Sequence, residues 1–106
     1  MSVKVFRSDR LRNSESDYGK WLSDNPEGFV VNTLKSTSGQ GNKSDARFTR
    51  IHRAACKTIN PLLSTADKTG FTTGRYQKLC ATSLEAATNE ARVWTGLPTI
   101  KPCRCV

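Results

Sequence analysis

Long hydrophobic runs and a hydrophobic leader are both missing from this sequence. No apolar stretch approaches the ~20 residues that a membrane-spanning helix needs. The first ten residues, MSVKVFRSDR, contain no apolar core of the kind that marks a secretory signal. We therefore expect a cytoplasmic protein that has no membrane partner.

Acidic residues and histidine are also scarce. Nine Asp and Glu face 17 Lys and Arg, which gives a formal net charge of +8, and the chain has one histidine. The sequence contains no paired-carboxylate motif and no glycine-rich phosphate loop, so we expect a non-enzymatic protein without a cofactor. The positive charge favours DNA or RNA as a partner. The alternative is that this charge serves only solubility.

The length and the hydropathy of the chain are those of one modest domain. Its 106 residues suit a single hydrophobic core. Apolar residues make up 36% of the chain, and the mean hydropathy is -0.55, so that core is small. We divide the chain into a flexible basic arm, residues 1–13, which has a short edge strand at Val3–Phe6, and an α+β domain, residues 14–106.

Two segments have the pattern of amphipathic helices. Residues 14–23 place Tyr18, Trp21 and Leu22 on one helical face, and Ser14 is suited to the N-cap.

The second helix, residues 83–95, follows a capping box formed by Thr82 and Glu85. Gly96 is suited to end this helix in the left-handed conformation. Trp94 lies on its apolar face.

Two strands and one ambiguous segment complete the pattern. Residues 29–34 and 75–81 read as strands, and the polar residues 36–45 read as a flexible loop. The segment RFTRIHRAACK, residues 47–57, places apolar side chains at helical spacing, so periodicity alone favours a helix. A strand over 47–53 would require burial on both faces.

A set of short motifs resembles a group of small bacterial domains to which no activity is attached. The resemblance covers residues 18–105 and is carried by GFVVNT, HRAAC with Ile59 after it, KLCA before a helix with a tryptophan, and a terminal cysteine pair. It implies a strand for residues 47–53 and a bacterial or phage source. Those domains are expected to have two residues between the paired cysteines, whereas this chain has one, so a shared metal site does not follow.

The fold expected from these elements is α+β. A three-stranded antiparallel sheet is formed by residues 29–34, 47–53 and 75–81. The two helices cover one face of the sheet and are anchored by Trp21 and Trp94.

The cysteines and the histidine leave metal binding open. Free buried thiols are the simplest interpretation, since the chain has no secretion signal that would favour disulfides. His52 and Cys56 share a face on a helix, but on a strand they lie ~13 Å apart and cannot bind one ion unless a turn begins near Ala54. Only one residue separates the last two cysteines, which is closer than the usual spacing of zinc ligands. We predict no metal, and the residues concerned are Cys56, Cys80, Cys103, Cys105 and His52.

Nucleic-acid binding is the favoured function. Between Asp45 and Asp67 the chain has no acidic residue but several cations, and arginine suits contact with phosphate. The candidate binding residues are Arg47, Arg50, Arg53, Lys57, Lys35 and Lys43. The alternatives are a protein–protein interaction module, which would use an exposed sheet edge, and a small zinc-stabilised domain.

Overall fold

A four-stranded antiparallel sheet lies between two helices in this protein. The computed structural model describes residues 3–9, 12–60, 71–72 and 74–106. The predicted α+β class is confirmed, but the sheet has four strands, not three. The elements are β1 (Lys4–Phe6), α1 (Ser14–Asp24), β2 (Phe29–Leu34), α2 (Lys43–Phe48), β3 (Arg50–Arg53), β4 (Tyr76–Ala81) and α3 (Leu84–Thr95).

The centre of the sheet is the pair β2 and β4. The strand order is β1-β4-β2-β3, and every pairing is antiparallel. Val30 pairs with Cys80, Val31 pairs with Leu79, and all four side chains are fully buried. β2 carries apolar residues on both faces because both faces are covered, as its composition predicts.

The fourth strand comes from the basic arm. Lys4–Phe6 pairs with β4, and Phe6 belongs to the buried core. The edge strand expected near Val3–Phe6 is therefore formed, and this part of the arm belongs to the sheet. Residues 1, 2, 10 and 11 of the arm lie outside the described residues.

The segment before β3 is a helix and not a strand. The strand predicted over 47–53 begins only at Arg50, and the loop predicted over 36–45 is already helical from Lys43. The side chain of Asn42 accepts a hydrogen bond from the Asp45 amide at 2.9 Å and so caps the short helix α2. At its other end, Nη1 of Arg50 donates to the Ala46 carbonyl at 2.9 Å.

The two long helices lie on opposite faces of the sheet, so the predicted single covered face is wrong. Tyr18 of α1 packs in a cluster with Val30, whereas Ala87 and Ala91 of α3 pack in a second cluster with Val31. Consecutive residues of a strand point to opposite faces, and the two clusters are therefore on opposite sides. The predicted anchors divide in the same way, one on each side: Trp21 and Trp94.

The helix ends differ from the predicted ones by about one residue. Ser14 is the first helical residue, not the N-cap, and Asn13 precedes it. Ser83, and not Thr82, caps α3 by accepting from the Ala86 amide. Gly96 ends α3 in the left-handed conformation, as predicted. Among the described residues, no helix is long and apolar enough to cross a lipid bilayer.

Two glycine substitutions test this helix geometry. Gly96 has φ +74°, and a Cβ there would overlap the Gly39 carbonyl, whereas a Cβ at Gly19 within α1 meets no atom within 4 Å. We expect Gly96→Ala to lower the free energy of unfolding by at least about 1–2 kcal/mol. Gly19→Ala should raise it by about 0.5–1 kcal/mol.

Urea denaturation of both variants beside the wild type measures these changes. A Gly96→Ala protein as stable as the wild type would contradict the left-handed end of α3.

Candidate metal centre

The C-terminal tail, residues 101–106, is docked beside β3. The Ile51 amide donates to the Lys101 carbonyl at 3.0 Å, and the Cys103 amide donates to the Ile51 carbonyl at 2.7 Å. Ile51 and Pro102 form a parallel bridge. The tail therefore extends the sheet beyond β3 and brings the terminal cysteines next to the HRAAC segment.

A turn at the end of β3 brings Cys56 back toward His52. The Cys56 amide donates to the Arg53 carbonyl at 3.0 Å, so the chain reverses direction after the strand. A continuous strand would separate these two side chains by ~13 Å. The turn near Ala54, on which a shared metal site depends, is therefore present.

A second turn brings the two terminal cysteines together. The Val106 amide donates to the Cys103 carbonyl at 3.1 Å, which closes a turn over the last four residues. The thiols of Cys103 and Cys105 thus face one point although only one residue separates them. Both side chains are half-buried and pack against the core on the α1 side of the sheet.

Four ligand atoms meet at this point. The thiols of Cys56, Cys103 and Cys105 and a ring nitrogen of His52 all lie within 4.8 Å of one another. The Cys56 and Cys103 sulfurs are 4.0 Å apart. Sulfurs bound to one tetrahedral zinc ion with Zn–S bonds of about 2.3 Å lie about 3.8 Å apart. The observed spacing is therefore close to that of a zinc site.

The neighbouring groups change the pKa values of two of the thiols in opposite directions. Burial opposes ionisation of Cys56, but hydrogen bonds from Cys105, Thr58 and Cys103 outweigh it and lower the pKa of Cys56. Burial raises the pKa of Cys105 to about 11, although the Arg53 amide donates to its sulfur at 3.3 Å. Thiolate is the form of cysteine that binds metals.

His52 is held in the neutral form. Burial, together with the nearby charges of Lys78 and Arg50, lowers the pKa of His52 to about 4. Its Nδ1 is buried and has no hydrogen-bond partner among the described residues. An unsatisfied buried nitrogen is costly, and a metal ion bound there would satisfy it.

Two of the cations predicted from the sequence lie at this centre. Arg53 and Lys57 are exposed, and Nε of Arg53 donates to the Cys105 carbonyl at 2.8 Å. The tail adds Lys101 and Arg104, which are also exposed and which the sequence reasoning missed. The position of Arg104 between two cysteines was the available signal.

The other predicted cations lie elsewhere. Arg50 is half-buried, and its Nη1 donates to two carbonyls at the end of α2. Lys35 follows the far end of β2, about 20 Å along the strand direction from the residue that pairs with Arg53. Arg47 and Lys43 belong to α2. The six predicted residues therefore do not form one continuous patch.

None of these six cations is neutralised by a carboxylate in the part of the chain that the structure describes. The ion pairs found there join Arg7 with Asp9 and Lys20 with Asp24. The positive charge is therefore available to a partner.

Comparisons of the chain with protein-family models, with curated proteins and with solved structures find no match. The resemblance to small bacterial domains stays a prediction. The function must be argued from the chemistry of the site.

The rates at which the thiols react test the placement of Cys80 in the core and of Cys103 and Cys105 in the docked tail. Cys80 is fully buried in the core, and burial raises its pKa, whereas Cys103 and Cys105 are half-exposed. Since thiolate is the reactive form, we expect iodoacetamide to modify Cys80 at least about tenfold more slowly than the two tail cysteines in the folded protein after a chelator has removed any metal.

Peptide mass spectrometry after timed labelling measures the rates, and labelling in denaturant supplies the control in which all four thiols react. Equal native rates would contradict the burial of Cys80.

Proposed function

We propose that His52, Cys56, Cys103 and Cys105 bind one zinc ion, and that the protein is a small non-enzymatic domain stabilised by that ion. The observation that carries this proposal is the convergence of four ligand atoms within 4.8 Å. The convergence joins a strand, the turn after it and the C-terminal tail.

The donor set favours zinc over other common metals. Three thiols and one imidazole form a Cys3His set, which is typical of tetrahedral structural zinc. Calcium and magnesium prefer oxygen ligands, and most iron–sulfur clusters are held by four cysteines. The Arg53 amide at the Cys105 sulfur supplies the kind of outer contact that orients a metal ligand.

The number of ligands favours a structural role over a catalytic one. A catalytic zinc keeps one position open for water or substrate, whereas four protein ligands close the coordination sphere. Cys56 and Cys103 are 47 positions apart in the chain. An ion that joins them restricts a long loop and therefore stabilises the folded state.

Metal content and matched cysteine variants test this proposal. We expect one zinc ion per chain by native mass spectrometry. Cys105→Ser removes a ligand and should lower zinc affinity at least about tenfold, together with a lower melting temperature. Cys80→Ala, which changes a core cysteine outside the site, should retain the full zinc content.

Two outcomes would contradict the zinc site. One is an intact mass about two daltons lower with no metal bound, which would identify a disulfide between two of these thiols. The other is a Cys105→Ser protein that binds zinc as tightly as the wild type does.

Non-enzymatic binding of nucleic acid is a second candidate function. The observation that favours it is the absence, within the described ranges, of any carboxylate pairing for the six predicted cations. The alternative of a partner strand added at β3 is less favoured, because the tail already pairs with that edge at Ile51.

Binding to a labelled DNA duplex over a salt series tests this second function. Each phosphate contact contributes a slope of about -0.9 to the plot of log affinity against log salt concentration, so three or more contacts give a slope of about -2.7 or steeper. Fluorescence anisotropy measures the affinity. Binding that does not change with salt, or no binding at low salt, would exclude phosphate-driven recognition.

A further inference from the structure

We propose that zinc binding assembles a phosphate-binding surface from Arg53, Lys57, Lys101 and Arg104, and that this surface takes the phosphodiester backbone of a nucleic acid. We call these four residues the collar. The inference rests on the proposed zinc site and adds a partner and a binding surface to it.

The collar follows from the positions of the cations next to the ligands. Arg53 comes directly after His52, Lys57 comes directly after Cys56, and Arg104 lies between the two tail cysteines. Each of these three cations is therefore next in the chain to a ligand. The Arg53 side chain lies on the other face of β3 from His52 and reaches the tail through the hydrogen bond that its Nε donates to the Cys105 carbonyl. The side chains of the three cations are exposed, whereas the ligands are buried or half-buried.

Lys101 completes the collar from the other side of the tail. Its carbonyl accepts a hydrogen bond from the Ile51 amide at 3.0 Å, so its backbone lies beside β3, next to Ile51. Its side chain is exposed. The same backbone pairing that docks the tail therefore also places this cation.

Arg53 is the member best prepared for phosphate. Its Nε donates to the Cys105 carbonyl at 2.8 Å, and its guanidinium lies 6.0 Å from the centroid of the Phe29 ring. Its two terminal nitrogens have no hydrogen-bond partner among the described residues. The side chain is thus held at one end while its planar fork stays available for a two-point contact with phosphate. Arg50 differs, since its Nη1 is used within the fold.

The charge balance around the site favours an anionic partner. One zinc ion and three thiolates carry a single net negative charge, which four cations exceed. Glu27 precedes Gly28, whose carbonyl accepts from the Ala54 amide at 2.9 Å, so this carboxylate belongs to a segment that contacts the turn after β3. Within the described residues Glu27 forms no ion pair with the collar.

The spread of the collar favours a chain of phosphates over a single phosphate group. Its members come from the end of β3, the turn after it and two points of the tail. One phosphate group can contact only some of them, whereas a nucleic-acid backbone presents a charge about every 1.7 Å along a duplex. Contacts of this kind set position and affinity and carry little sequence preference.

A pair of double variants tests the collar. Lys57→Ala with Arg104→Ala removes one lysine and one arginine from it. Lys20→Ala with Arg92→Ala removes the same charges from exposed positions on α1 and α3 and is the matched control. With a fluorescein-labelled 20-base-pair DNA duplex, we expect the collar variant to reduce the magnitude of the salt slope by about 1.8, while the control leaves the slope unchanged.

Zinc content is measured on the same samples, so that a failure of the collar can be distinguished from a failure of the zinc site. The collar variant should retain one zinc per chain. Cys105→Ser, at a free zinc concentration low enough that its weakened site is empty, should lose slope as the collar variant does while it keeps its helical circular dichroism.

Each contrary result has a distinct meaning. Bound zinc with an unchanged slope in the collar variant overturns the collar and leaves the zinc site standing. A protein without zinc whose slope still depends on the collar overturns the zinc site and the assembly by metal together. Binding to phosphatidylserine vesicles but not to DNA overturns nucleic acid as the partner.

Discussion

The docking of the C-terminal tail against β3 is the interaction on which the candidate site depends. Two backbone hydrogen bonds hold it, both of them to Ile51. A hydrogen bond of this kind contributes about 0.5–1.5 kcal/mol net, whereas ordering one residue costs about 1–2 kcal/mol. These two bonds, even with the two that Arg53 donates to Cys105, therefore do not suffice to order six residues. The burial of Cys103 and Cys105 adds to these bonds, and the proposed metal ion would supply the remainder.

The same constraint explains why the metal would sit at this corner of the sheet. On the α1 side, the apolar core around Val30 gives way to polar groups. Lys78 is buried there, donates to Asn32 and to the Phe71 carbonyl, and has its pKa lowered to about 8 by burial. His52 lies between these two regions. A chain with 36% apolar residues has few apolar side chains to bury at such a corner. A metal centre would bury side chains of moderate size there instead.

The elements that were predicted correctly are those whose secondary structure follows from the local sequence pattern. Four elements show a clear hydrophobic periodicity in their own sequence, and their predicted bounds are correct to within about one residue. They are β2, β4 and the two long helices. The chain changes from helix to strand between Phe48 and Arg50, so the hydrophobic periodicity changes within this segment. Neither a helix nor a strand alone describes the segment. The opposite placement of the helices depends on tertiary packing. The candidate metal centre was not predicted because the spacing rules assume that paired ligands come from one short turn. Here, two turns from distant segments form the cluster.

The burial and exposure of the side chains at this centre bear on whether the site binds a partner or catalyses a reaction. Cys56 and His52 have the residue types of a nucleophile and its base. Both are buried, however, and two further thiols lie within 4.8 Å of them, so the same atoms are also placed to bind one metal ion. The exposed side chains at this corner include the cations of the collar. Among the described residues, the terminal nitrogens of Arg53 have no hydrogen-bond partner, while its Nε donates to the Cys105 carbonyl. This arrangement supports the proposal of a structural metal centre beside a cationic binding surface.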